Sequence, residues 1–216
     1  LLSCLGYNAW TLWFLGYPDQ ALKMGQEALR LAREGDHPFA LALTLQFAGK
    51  LHMIRREAQA AQERVAEILE LSTTYGFISL TAIETFMHWW ARAEQGRRGE
   101  DVAQMAQILS EWRTARMDFA RAYYLTGMAD IYGKMGQSEE GLQAVAEALA
   151  LLAENGERLF EAELYRLKGE LTLQQFRVAA SQHLVSNAQA EAEQCFLKAL
   201  EVARQQQAKS FELRVA

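Results

Sequence analysis

Residues 12–32 read LWFLGYPDQALKMGQEALRLA. Gly16, Pro18 and Asp19 interrupt what is otherwise one helical run, which then resumes with Ala21, Ala28 and Leu29 in step. A glycine suits the left-handed residue that closes a helix C-terminus. A proline suits the first turn of the next helix, where its fixed φ is already helical and its missing N–H costs nothing. Asp19 sets a negative charge beside the exposed N–H groups of that turn. The stretch is the end of one helix, a tight turn and the start of another.

The same pattern returns every forty residues. Gly16, Ala21 and Ala28-Leu29 are followed by Arg56, Ala61 and Ile68-Leu69, then Gly96, Asp101 and Ile108-Leu109, then Gly136, Gly141 and Ala148-Leu149. A fifth copy arrives eleven residues late, as Asn187, Ala192 and Ala199-Leu200. A second column holds Ala42, Ala82, Ala122 and Ala162, and a third holds Ala9, Gly49, Trp89, Ala129 and Gly169. Small residues at one place in each copy let two helices approach closely. Asp101 breaks that rule and predicts a looser third pair. Ser138 and Glu139-Glu140 serve the fourth second-helix as Asp19 serves the first.

The expected helices run over about 1–15 with 18–34, 38–54 with 57–75, 78–95 with 99–115, 118–135 with 138–154, and 157–176 with 188–207. The segment 176–187 is expected as an elongated turn, and a further helix begins near 209. A single pair cannot bury its apolar face, so neighbours must stack. The fold class is therefore all-α, a right-handed superhelical solenoid of about five antiparallel pairs. We expect one domain over 1–216, with repeats at about 1–37, 38–77, 78–117, 118–156 and 157–208.

Composition agrees with this. The 216 residues are 50% apolar and 23% charged, with two prolines and a formal net charge of −5. Ala, Leu, Glu, Gln and Arg dominate, which favours helix. The mild acidity speaks against a nucleic-acid surface, which needs a clustered basic face; Arg55-Arg56 and Arg97-Arg98 are expected as solvated helix ends. Cys4 and Cys195 share no metal or redox spacing, and a reducing cytoplasm is the expected compartment. No apolar run reaches the ~18 residues of a membrane span. The chain opens on Leu1-Leu2 and stops inside SFELRVA, which suggests a piece of a longer protein whose cut ends could self-associate.

The small-residue columns, the Gly-x-x-x-x-Ala turn and the Ala-Leu of the second helix resemble tetratricopeptide repeats, although the ordinary repeat of that family has 34 residues and a period of ~40 also occurs in the HEAT and armadillo classes. The phrases LGYPDQALKMGQEALRLAREGDHPFALA and RLFEAELYRLKGEL…AEAEQCFLKALEVARQQQAKSFELR resemble the C-terminal repeat region of large bacterial regulators. Those regulators carry an ATPase module, sometimes beside an adenylate cyclase-like or DNA-binding domain. No Gly-rich phosphate loop is present in this stretch.

The resemblance implies a groove lined by the first helix of each pair. Its register marks Trp10, Trp13 and Phe14, then Gln46 and Lys50, Phe86 and Trp90, Tyr123, Thr126 and Asp130, and Arg166 and Glu170. Aromatic residues there would supply contact area, and the charged ones would orient a peptide or carboxylate. The alternative is that the aromatics are core and the charges solvated. Trp89, in a small-residue column, is expected in the core.

Histidine is sparse, at 37, 52, 88 and 183. Glu84 and His88 share a helix face, but a metal site needs a third ligand and none is indicated. No nucleophile arrangement or clefted carboxylate pair suggests catalysis, and no cofactor is implied. The expected function is a non-catalytic protein–protein interaction module, binding a protein segment in its groove or contacting other domains of its parent regulator. The alternatives are a small-molecule sensor, with Trp90, Tyr123 and Asp130 around the ligand, and a self-associating or autoinhibitory repeat domain.

Overall fold

The computed structural model describes residues 1–97, 99–116, 118, 121–176 and 182–216, with the backbone alone for 78–82 and 182–185. Arg98, the side chains of Ala82 and His183, and much of the 176–187 segment therefore lie outside the described residues. Among the described residues there are eleven α-helices and no strand. They are α1 Leu2–Phe14, α2 Pro18–Glu34, α3 Pro38–Ile54, α4 Ala58–Tyr75, α5 Ile78–Glu94, α6 Gly99–Thr114, α7 Arg121–Met135, α8 Ser138–Asn155, α9 Glu161–Phe176, α10 Gln182–Gln205 and α11 Lys209–Val215.

The turns repeat a single backbone device. Gly16, Arg56, Gly96 and Gly136 all have φ between 62° and 93°, and they stand forty residues apart. Each N–H bonds the carbonyl three residues back, and the next N–H reaches five back: Gly16 to Trp13 and Tyr17 to Leu12, Arg56 to Met53 and Glu57 to His52, Gly96 to Ala93 and Arg97 to Arg92, Gly136 to Gly133 and Gln137 to Tyr132. This doubly bonded, left-handed closure satisfies carbonyls that the helix end leaves over. Glycine occupies it at no steric cost, whereas Arg56 bears the Cβ penalty of the left-handed region. Gly76, Arg116 and Gly156 are also left-handed, again forty residues apart, and lie after α4, α6 and α8.

The two prolines open α2 and α3. His37, expected in a loop, caps α3: the Ala40 N–H donates to its Nδ1 at 3.3 Å. One expected turn differs. Residues 182–187 are already helical, so α10 is 24 residues long and Asn187 lies inside it instead of closing a helix. QHLVSN holds neither glycine nor proline, and nothing in it stops a helix. The left-handed closure of α10 falls at Gln207, φ 55°.

The chain gathers into two compact units, Leu1–Met105 and Ala106–Ala216, the border falling within α6 and not at a linker. In unit 1, α1 packs on α2, α2 on α3, α3 on α4 and α4 on α5, while α1 also meets α3 and α3 meets α5. In unit 2, α7 packs on α8, α8 on α9, α9 on α10 and α10 on α11, while α7 meets α9 and α9 meets α11. Ala21, Ala61, Gly141 and Ala192 are all buried. So is Asp101, whose two carboxylate oxygens share the single Nε–H that Arg92 donates, each at 3.1 Å. The third pair thus answers its misfit residue with an ion pair. Leu29, Ala42, Leu45, Ala48 and Ile68 form a core cluster of unit 1; Tyr124, Ile131, Leu164, Leu171 and Phe211 are fully buried in unit 2.

Candidate functional site

Three residues marked by the groove register meet in unit 1, on its first helices. Trp10 on α1 donates its indole N–H to the Phe47 carbonyl on α3 at 3.0 Å. Lys50, one turn along α3, holds its ammonium 5.8 Å from the Trp10 ring centre. Gln46, one turn back, donates from Nε2 to Glu84 Oε1 on α5 at 2.7 Å. Residues four apart share a helix face, so α3 carries Gln46 and Lys50 side by side between its neighbours.

The electrostatics of this cluster are unusual. Lys50 is 6% exposed and Glu84 is fully buried. Burial pushes the Lys50 ammonium down to about 8, with the Glu84 charge pulling the other way. Burial raises Glu84 against the bond from Gln46 and the charge of Lys50. Desolvation disfavours whichever form is charged, so burial pushes each group toward its neutral form while the other's charge opposes the shift. Glu84 Oε2 has no hydrogen-bond partner. His88, a turn further on, is lowered by burial and then by Arg92. Glu84 was not among the groove positions; its signal is a lone carboxylate within the apolar run of α5, ISLTAIETFMHWW.

Tyr7 stands at the solvent edge of the cluster. It is 54% exposed and packs edge-on against Trp10 and Phe47, with centroids at 5.9 and 4.8 Å. Trp10 and Phe47 are half-buried.

The other marked residues take different places. Trp13 and Phe14 are buried, their rings 5.2 Å apart. Phe86 and Trp90 are buried as well. Trp89 is half-buried, with the Arg92 guanidinium 5.0 Å from its ring. The two tryptophans thus exchange the roles expected of them, because an indole does not fit the space that Ala9, Gly49, Ala129 and Gly169 leave at the equivalent position. In unit 2, Tyr123 is buried against Tyr124 and Phe160, at 4.8 and 4.9 Å, and burial pushes its phenol well up. Thr126 is turned back on its own helix, donating to the Ala122 carbonyl at 2.7 Å. Asp130 pairs with Lys134 at 2.8 Å. Arg166 joins Glu163 through two bonds at 2.8 and 2.9 Å and meets Glu170 at 2.5 Å. Arg214 adds a further bond to Glu163 at 3.1 Å.

Among the described residues no group of three or more His, Cys, Asp and Glu could hold a metal ion, and no helix is long and apolar enough to cross a membrane. No protein-family model matches the chain, and no curated protein is significantly similar to it.

Proposed function

We propose that the chain is a non-catalytic interaction module: a right-handed solenoid of tetratricopeptide-like helix pairs that recognises a protein segment on the face of its first helices. In a larger bacterial regulator, such a module would couple recognition to an attached ATPase or output domain. The observation that carries the reading is the backbone turn at residues 16, 56, 96 and 136, identical in its left-handed residue and its two hydrogen bonds. One supersecondary unit used several times, with first helices touching within each unit, is how repeat proteins build an extended binding face. On unit 1 that face offers the aromatic edge of Tyr7, Trp10 and Phe47 above Lys50. Tyrosine and tryptophan present large rigid contact area at such sites.

The test uses Tyr7, which is exposed enough to change without unfolding the chain. The immobilised chain and its Tyr7→Ser variant are presented with the native extract, and retained polypeptides are crosslinked and mapped. Crosslinks on α1, α3 and α5 that vanish in Tyr7→Ser are expected. Retention that is equal in the two, or crosslinks confined to other helices, would refute this face.

A second reading, a sensor for a small polar molecule, draws on the unpartnered Oε2 of Glu84. A ligand donating there would complete the cluster, and its binding would be lost in Glu84→Ala.

A further inference from the structure

Unit 2 contains a cleft of about 210 Å³ between α6, α7 and α8. We propose that it is a docking site for a peptide segment that inserts one large apolar side chain and carries an acidic residue on one flank and a basic residue on the other. The inference rests on the reading of the chain as a peptide-binding module. The residues it uses belong to unit 2, apart from the first-helix face of unit 1.

The walls set the size and chemistry of the guest. Leu109, Leu125, Met128 and Ala144 line the cleft and are each at most 7% exposed. An aliphatic cavity of ~150 Å³ accepts benzene, whereas pockets for whole drug-sized molecules begin near ~300 Å³. The space here suits one phenyl or indole group. Apolar burial of that kind is the usual anchor of a peptide contact.

The rim sets the flanks. Arg113 on α6 and Glu140 on α8 both line the cleft and are exposed. Neither makes an ion pair among the described residues, with each other or with a third group. Glu147, by contrast, is occupied by Arg121 at 3.3 Å. Two exposed rim charges of opposite sign fit opposite charges carried on separate residues of a segment, either side of the inserted group. Tyr132, half-buried in the same wall, has no hydrogen-bond partner for its hydroxyl among the described residues. Burial and then the charge of Glu140 hold its phenol above the usual range, so it stays a donor, placed for a backbone carbonyl of the segment.

The test measures fluorescence anisotropy of the whole chain with the labelled peptide Gly-Glu-Ser-Phe-Ser-Lys-Gly. Saturable binding below millimolar is expected, and replacing the peptide's phenylalanine by alanine should weaken it about tenfold or more. The double variant Arg113→Glu, Glu140→Lys changes only exposed side chains, and its thermal melt verifies folding. It should bind the original peptide several-fold more weakly and prefer the peptide with Glu and Lys exchanged. No saturable binding to millimolar, equal binding of the alanine peptide, or an unchanged charge preference in the double variant would each overturn the proposal. So would competition by free phenylalanine at the peptide's own concentration, which would assign the cleft to a metabolite. Binding lost in Tyr7→Ser but kept in the double variant would move the segment to the first-helix face, sinking this cleft while leaving the proposed function standing.

Discussion

The two units bury charge in opposite ways. In unit 2, Arg166 is 4% exposed and surrounded by three counter-charged or bridging partners: Glu163 by two bonds, Glu170, and Arg214 behind Glu163. In unit 1, Lys50 and Glu84 are as deeply buried, yet one carboxylate oxygen of Glu84 has no partner and both groups are pushed toward neutrality. Gln46 of unit 1 and Arg166 of unit 2 stand at the same place in the forty-residue register, as do Lys50 and Glu170. Equal burial therefore does not mean equal satisfaction. A fully hydrogen-bonded buried ion cluster rigidifies its surroundings, whereas a partly satisfied one costs stability and is where a ligand or proton has something to gain.

The comparison breaks most visibly at Arg166. Arg166→Ala leaves Glu163 buried with Arg214 alone to balance it, and should cost about 3–4 kcal/mol in urea unfolding; a loss below 1 kcal/mol would mean that the network is decorative. Lys50 should behave inversely. Its ammonium titrates near 8 in the folded chain against an ordinary 10.5, so between these values the unfolded chain binds more protons and stability rises with pH. The gain approaches about 3 kcal/mol across that window, and it should be absent in Lys50→Met, read from melts between pH 7.5 and 10.5. Glu84, raised in the folded state, has the opposite sign: its contribution is present at acid pH and lost as pH climbs through its folded value.

Smaller effects concern close approach. A Cβ on Gly169 of α9 would stand 2.7 Å from the Phe196 ring on α10, while one on Gly49 of α3 would stand 2.6 Å from the terminal methyl of Met87. A rigid ring yields less readily than the flexible end of a methionine. Gly169→Ala should cost about 2 kcal/mol and Gly49→Ala under 1 kcal/mol; equal losses would show that α9 and α10 are as adaptable as α3 and α5. An effect of comparable size tests the turns. Gly136→Arg places in unit 2 the left-handed arginine that unit 1 already carries at Arg56, and should cost about 1 kcal/mol, with Arg56→Gly shifting the melting temperature upward.

Helix limits were legible because glycine and proline punctuate them: Pro18, Pro38 and Gly136 each mark a boundary to within a residue or two. The start of α10 was not, since QHLVSN carries no stop signal and Asn187, which matches Gly16 in the repeat, lies inside the helix. Side-chain phase was harder. Trp89 and Trp90 are adjacent, and a rotation of one residue exchanges core for edge. The Gln46–Glu84 bond joins residues on different helices, so no periodicity within one helix reveals it.

The contact pattern also governs how each unit gets folded and undone. Within a unit, helices touch their neighbours and the next but one, so the chain closes only short loops on the way to the native state. Low mean separation between contacting residues goes with fast folding. Pulled at its two ends, a unit built on such neighbour contacts is expected to release its helices one after another, beginning with the outermost.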